Sequence, residues 1–192
     1  SGGTALVGHA IRAARATGAE HVEVVVRHER ERVVEFCTGF DQGLVIADQD
    51  EIKGTGRAVE CGLAELPADL TGTILVTYGD VPLLTGDTLA ALTARHTEQE
   101  CAVTVVTAHV PNPTGYGRIV RGADGGVERI VEQKDASPTE QQITEINSGI
   151  YAFDAAVLRA ALADVGTDNA QGEKYLTDVL ASFTWAALYL AA

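Results

Sequence analysis

Apolar residues recur at helical spacing from Ala5 to Ala14, and Thr17-Gly18 then supplies stop chemistry, so the chain is predicted to open in an amphipathic helix. Val22 to Val26 predicts a strand, Glu29 to Phe36 a helix, and Leu44-Val45-Ile46 a second strand. Gly56 to Leu66 returns to the helical period and is ended by Pro67. Thr73-Ile74-Leu75-Val76-Thr77 is a short, nearly continuous apolar run bounded by glycines, a pattern that suits a buried parallel strand. A helix over Asp87 to Thr97 and a strand over Cys101 to Ala108 continue the alternation. Strand and helix in regular exchange predict an α/β fold, a doubly wound, mostly parallel, Rossmann-like sheet.

From Pro111 the texture changes. Pro111-Asn112-Pro113-Thr114-Gly115 is turn chemistry, and Arg118 to Arg121 with Val127 to Glu132 flank the Gly122 to Gly126 turn, which predicts a β-hairpin added to the core. Gly149 to Phe153 reads as a further strand, Ala155 to Ala163 as a helix, and Glu173 to Ala181 as another. No internal repeat or low-complexity linker interrupts residues 1–181, which read as one domain. The tail 182–192 carries no charge and is rich in alanine and aromatics; an apolar helix closing the core is the plain reading, discontinuous sequence the other.

Length and composition agree with a single domain: 192 residues, 46% hydrophobic and 21% charged, are enough for one sizeable core. The first residues carry neither a basic nor an apolar leader pattern and no run of 18 or more apolar residues occurs, so a cytoplasmic protein without membrane association is expected. A net charge of −13 repels a polyanion, which argues against nucleic acid as a partner. Cys37, Cys61 and Cys101 are odd in number, widely spaced and lack a CxxC pair, and are expected to be buried inert thiols. The five histidines are scattered, without the spacing that sets two imidazoles on one helical face.

In open α/β sheets ligands bind beyond the carboxyl ends of the strands, and two such places carry candidate chemistry. After the strand ending near Ala47 come Gln49 and then Gly54-Thr55-Gly56 at the start of a helix. The glycines would let the backbone approach a ligand, Thr55 could present its hydroxyl near a helix N-terminus, and Gln49 offers donors and an acceptor to a base edge. An ordinary capped turn explains the same residues. After the strand ending at Thr77 comes Tyr78-Gly79-Asp80. A single carboxylate there suits Mg²⁺, which takes few protein ligands and keeps phosphate oxygens and waters, but turn aspartates are also common.

With these residues in view, the chain resembles the uridyltransferase (pyrophosphorylase) domain of the bacterial bifunctional N-acetylglucosamine-1-phosphate uridyltransferases, which also carry a glucosamine-1-phosphate acetyltransferase. The resemblance runs from about Ala5 to Val179 and rests on ordered motifs: Gln49 with Gly54-Thr55-Gly56, Tyr78 to Leu83, Asn112 to Ile119, Val131 to Ala136, Glu145 to Ile150, and Asn169 to Glu173. It implies a nucleotide-diphospho-sugar transferase fold that transfers uridylyl from UTP to N-acetylglucosamine 1-phosphate, giving UDP-N-acetylglucosamine and pyrophosphate for cell-wall precursor synthesis. It implies that Gln49 reads uracil, that Gly54 and Thr55 line the nucleotide pocket, that Tyr78 and Gly79 border the phosphates, and that Asp80 holds Mg²⁺. Gly117, Glu132 and Asn147 would contact the amino sugar. A non-catalytic binding module, or a transferase for another sugar 1-phosphate, is the alternative.

The departures are specific. The family's opening strand and glycine-rich loop, of the Leu-Ala-Ala-Gly-x-Gly-Thr-Arg-Met type, its following lysine, a second magnesium-binding asparagine and the acetyltransferase β-helix that underlies a homotrimer are not among these 192 residues. Lys53 replaces a usually apolar residue and Arg57 a usual histidine; either tuning of phosphate binding or simple solvent exposure is expected of them. Lys134 reads as a solvated surface lysine.

Overall fold

A computed structural model describes residues 4–166 and 172–179, together with the backbone of Trp185–Tyr189. In chain order the elements are α1 (Leu6–Ala16), β1 (Glu23–Val26), α2 (Arg30–Phe40), β2 (Val45–Asp48), α3 (Thr55–Glu65), β3 (Thr73–Val76), α4 (Gly86–Gln99) and β4 (Val103–His109). They continue as β5 (Arg118–Arg121), β6 (Val127–Val131), β7 (Glu145–Asp154), α5 (Ala155–Asp164), α6 (Leu176–Val179) and β8 (Trp185–Tyr189).

Local chemistry sets several of these boundaries. The Thr85 hydroxyl caps α4 by accepting from the Thr88 N–H at 3.2 Å, and Asp154 caps α5 by accepting from the Val157 N–H at 3.0 Å. Gly18, at φ +76°, supplies the left-handed residue just past α1.

The strands form two groups. β1 and β2 pair in parallel, Val24 opposite Ile46. The larger sheet runs β6-β5-β7-β4-β8, with β3 also on β7. β7 is antiparallel to β3, β4 and β5, whereas β4 and β8 are parallel, so β3, β4, β5 and β8 share one direction. The apolar run of β3 suits a buried parallel strand; its observed partner is antiparallel, Leu75 opposite Ala152.

Period two along these strands divides the core. Ile74, Val76, Val103, Val105, Tyr151 and Phe153 meet Leu63 of α3, Leu158 and Leu162 of α5, and Leu176 of α6. Leu75, Val106, Ile150 and Ala152 meet Ala13 of α1 with Leu89 and Leu92 of α4. Helices therefore cover both faces, as a doubly wound fold requires. Phe153 and Leu158 are fully buried, each contributing about 1.5–3 kcal/mol of transfer free energy.

α3 joins the two strand groups: it packs on β1 and β2, while its Val59 and Leu63 share a cluster with Ile74 and Val76 of β3. Among the described residues the second edges of β1 and β3 carry no strand partner.

The hairpin of β5 and β6 is as expected, with Ile119 opposite Ile130. Three elements differ from expectation. β7 starts at Glu145 rather than Gly149, because its polar first half pairs with β4 despite its composition. α6 spans only Leu176–Val179 among the described residues. Within the tail, Trp185–Tyr189 is a strand parallel to β4 and not a helix; the rest of 182–192 lies outside the described residues. Cys37 is buried, whereas Cys61 and Cys101 are only partly so. His96 is a core histidine: its Nδ1 lies 3.0 Å from Thr104 Oγ1, and burial pushes its pKa down, favouring the neutral ring.

Candidate active site

Gln49 follows β2 and its amide is engaged. Nε2 donates to the carbonyls of Ile52 at 2.9 Å and Gly54 at 3.1 Å, which fixes which end of the amide is nitrogen. Both N–H donors are used there, and the amide oxygen accepts no hydrogen bond among the described residues.

The glycines beyond it do make a close backbone approach, and their neighbour is the chain itself. Gly54 sits at φ +111°, and a Cβ there would run into the backbone of Lys174. The carbonyl of Lys174 accepts from the N–H groups of Gly56 at 2.9 Å and Arg57 at 3.3 Å, and its N–H donates to Lys53 O at 2.8 Å. Thr55 Oγ1 accepts from the Leu176 N–H at 3.1 Å. The segment 172–176 thus crosses the start of α3 as a strap and occupies amides that a phosphate would otherwise compete for. Lys174 anchors it, its buried ammonium donating to Leu162 O and pairing with Glu60 at 3.0 Å. Arg57 neither faces solvent alone nor stands free for phosphate: it pairs with Asp50 and Glu60, each at 2.5 Å. Lys53 and Lys134 are exposed.

A second cluster forms where β3, β6 and β7 end or bend. Gly149 holds φ +75° inside β7, and a Cβ there would fall on the Tyr78 ring, 2.7 Å from Cζ. The missing side chain is what lets that ring lie against the strand. Asn147 Oδ1 accepts from the Gly149 N–H at 3.0 Å, its Nδ2 donates to the Tyr151 hydroxyl at 2.6 Å, and its own N–H donates to Gly117 O at 2.9 Å. Gly117 is buried; a Cβ there would meet Ile130 at 3.1 Å, Glu132 Oε1 at 3.4 Å and Asn147 Cβ at 3.5 Å. Gly117, Glu132 and Asn147, 30 residues apart along the chain, are therefore neighbours, with Tyr78 beside them.

Glu132 is half-buried just beyond β6, and Thr177 of α6 donates to its Oε1 at 3.3 Å. Burial raises its pKa most, Asp135 and Asp178 add to that, and the Thr177 hydrogen bond opposes it. Among the described residues no cation pairs with it. Tyr78 is likewise pushed up by burial, then by Glu132 and Asp80. Asp80 itself is exposed just past β3. The turn before Gly117 is held by Arg118, whose buried guanidinium donates to Tyr116 O and, at 2.6 Å, to Gln133 Oε1; the latter also accepts from the Gly115 N–H at 3.1 Å.

Tyr151 and Thr177 escaped the sequence reading, and Arg118, Gln133 and Gly149 fell within its motifs without a role. A glycine within an apolar strand was the one local signal, and it pointed at Gly149. Among the described residues no three His, Cys, Asp or Glu side chains cluster as metal ligands. No helix described is long and apolar enough to cross a membrane. An open groove between α1 and α2 lies apart from this chemistry: Arg12 stacks over Phe40 at 5.1 Å and Arg15 pairs with Asp41 at 2.7 Å, which engages its polar groups.

A sheet covered by helices on both faces, with a glycine-bearing loop after one strand and an aspartate after the next, is the α/β architecture that binds ligands beyond its strand ends. The chain belongs to the MobA-like NTP transferase domain family, whose model matches residues 1–142. It is 58% identical over 93% of its length to the bifunctional protein GlmU of Micrococcus luteus, and 59% identical over 93% to that of Paenarthrobacter aurescens. The chain spans 39% and 36% of the length of those relatives. Its fold is similar to that of a UDP-glucose pyrophosphorylase complexed with UDP-glucose, with a TM-score of 0.69 and 16% identity, covering 92% of this chain and 74% of the other.

Proposed function

We propose that this chain forms the uridylyl-transfer site for N-acetylglucosamine 1-phosphate, using UTP and releasing pyrophosphate. The observation that carries this reading is the meeting of Gly117, Glu132 and Asn147 beside Tyr78, a partly desolvated cluster whose acceptors suit hydroxyl and amide donors of a sugar. A carboxylate that is half-buried without a cation is costly until a ligand donor reaches it.

Gln49 deepens the reading on the nucleotide side. With both amide hydrogens engaged by Ile52 and Gly54, it has an oxygen acceptor to offer. Uracil presents an N–H at N3, whereas cytosine presents an acceptor there, so an acceptor-only Gln49 favours uridine.

In the reaction, a phosphate oxygen of the sugar phosphate attacks the α-phosphorus of UTP in line. The new P–O bond forms as the bond to the bridging oxygen breaks, and pyrophosphate leaves. The nucleophile is already anionic, so alignment and charge neutralisation carry the catalysis. Asp80, exposed and accepting no hydrogen bond among the described residues, has the hard oxygen that Mg²⁺ takes from a protein, and the ion would neutralise phosphate charge there. Lys174 O occupies the first amides of α3, so we infer that the triphosphate is held by a further strand and loop seated on the open edges of β1 and β3.

Pyrophosphate release by the full-length protein tests the proposal. UTP should be used in preference to CTP, N-acetylglucosamine 1-phosphate in preference to glucose 1-phosphate, and a chelator should abolish turnover. Preference for glucose 1-phosphate sinks the sugar assignment, preference for CTP sinks the role of Gln49, and full activity in chelator sinks the role of Asp80.

A further inference from the structure

We infer that Tyr151 is a positioning residue for sugar recognition, acting through Asn147; the inference rests on the reading of Asn147 as a sugar contact. Tyr151 is 2% exposed and sits between two strands, opposite Val76 of β3 on one side and Val105 of β4 on the other. Its ring packs against Phe153, centroids 5.5 Å apart, so it has little freedom to turn. It lies four positions beyond Asn147 on the same strand, and its hydroxyl accepts from Asn147 Nδ2 at 2.6 Å.

That contact completes a two-point lock. Asn147 Oδ1 receives the Gly149 N–H at 3.0 Å, so turning the amide over would set nitrogen against nitrogen there, while the phenol, able to accept or donate, holds the other end of the amide in place. With both ends fixed, one Nδ2 hydrogen and one Oδ1 lone pair remain for a ligand, at a known orientation. The pair suits an amide or hydroxyl of an amino sugar, which both donates and accepts. A phenylalanine at 151 would fill the same space and remove the lock. The phenol stays neutral because burial pushes its pKa up, so the anchor persists across the working pH range. Tyr151 itself makes no contact with the substrate in this scheme; its effect passes through the amide alone.

The test compares affinities for UDP and UDP-N-acetylglucosamine by calorimetry in the full-length protein, because their ratio isolates the sugar contribution. Tyr151→Phe should weaken UDP-N-acetylglucosamine binding about three- to tenfold, the range of one net hydrogen bond. UDP affinity should stay within experimental error, and the urea midpoint should fall only slightly, by the loss of one buried hydrogen bond. In an Asn147→Ala background, Tyr151→Phe should change nothing further, since the amide it positions is gone. An unchanged ratio in Tyr151→Phe overturns the inference, as does an equal loss on the Asn147→Ala background, which would mark a packing effect. If wild-type protein binds UDP-N-acetylglucosamine no more tightly than UDP, the functional reading itself fails.

Discussion

Gly149→Ala tests the geometry of the sugar-side cluster directly. Two costs combine at this position. The residue holds φ +75°, where an L side chain clashes with its own carbonyl, for about 1–2 kcal/mol. The new methyl must also displace the Tyr78 ring, since a Cβ would fall on Cε2 and lie 2.7 Å from Cζ and 2.8 Å from Oη. Overpacking in a rigid core costs about 1–3 kcal/mol, but Tyr78 is 43% exposed and can swing towards solvent, which puts the second cost at the low end. A total of about 2–3 kcal/mol follows, well short of the about 5–15 kcal/mol that holds a domain together, so the variant should fold. Urea denaturation measures the loss. The swing of Tyr78 away from β7 should then lower the preference for UDP-N-acetylglucosamine over UDP, with uridine affinity less affected. A stability loss below about 0.5 kcal/mol together with an unchanged preference would refute both the strain and the packing of Tyr78 on that glycine.

Thr177→Val removes the hydroxyl that donates to Glu132 and should weaken sugar binding about three- to tenfold, whereas Thr177→Ser should restore it; calorimetry with UDP-N-acetylglucosamine decides. Gly54→Ala drives a methyl into the Lys174 backbone at a residue of φ +111°, and should cost at least about 2 kcal/mol in urea while increasing protease cleavage near residues 172–176; equal stability would mean the strap is not seated there. Glu23 faces Gly62 of α3, its Oε1 has no partner among the described residues, and burial, followed by Glu65, raises its pKa to about 7. That contribution is complete below the unfolded value near 4.5 and is lost as pH rises through about 7, so stability from this group falls across that window. Glu23→Gln should therefore gain about 1.5 kcal/mol over wild type at pH 8 relative to pH 5, after halving the full shift for solvent access; an equal difference at both pH values would contradict it.

The layering of the fold was legible because helical and strand periods are local. α1, α3, α4, α5 and the β5–β6 hairpin all follow from residues within one or two turns of each other. Strand direction was not legible in the same way. The apolar run of β3 fits any buried strand, and its antiparallel partner β7 lies about 75 residues onward, with nothing in Thr73–Val76 to announce it. β7 itself was half hidden: Glu145 to Ser148 carry no apolar strand pattern, yet Glu145 is buried by its Thr107 and Arg121 partners, the former at 2.7 Å. Polar residues satisfied from distant strands carry no local strand signature.

At the site, the residue types were readable and their immediate partners were not. Glycine at positions 54 and 56 announced a close backbone approach, but a glycine does not say what approaches. The answer is Lys174, about 120 residues later, and the consequence reaches beyond the loop. Leu176 hangs its N–H on Thr55, and Thr177, the next residue, supplies the hydroxyl held by Glu132. One short segment therefore ties the loop that presents Gln49 to the carboxylate of the sugar-side cluster. The strap is anchored at both ends: Lys174 is fixed by Glu60 and Leu162 O on one side, and Leu176 and Val179 are buried in the core on the other.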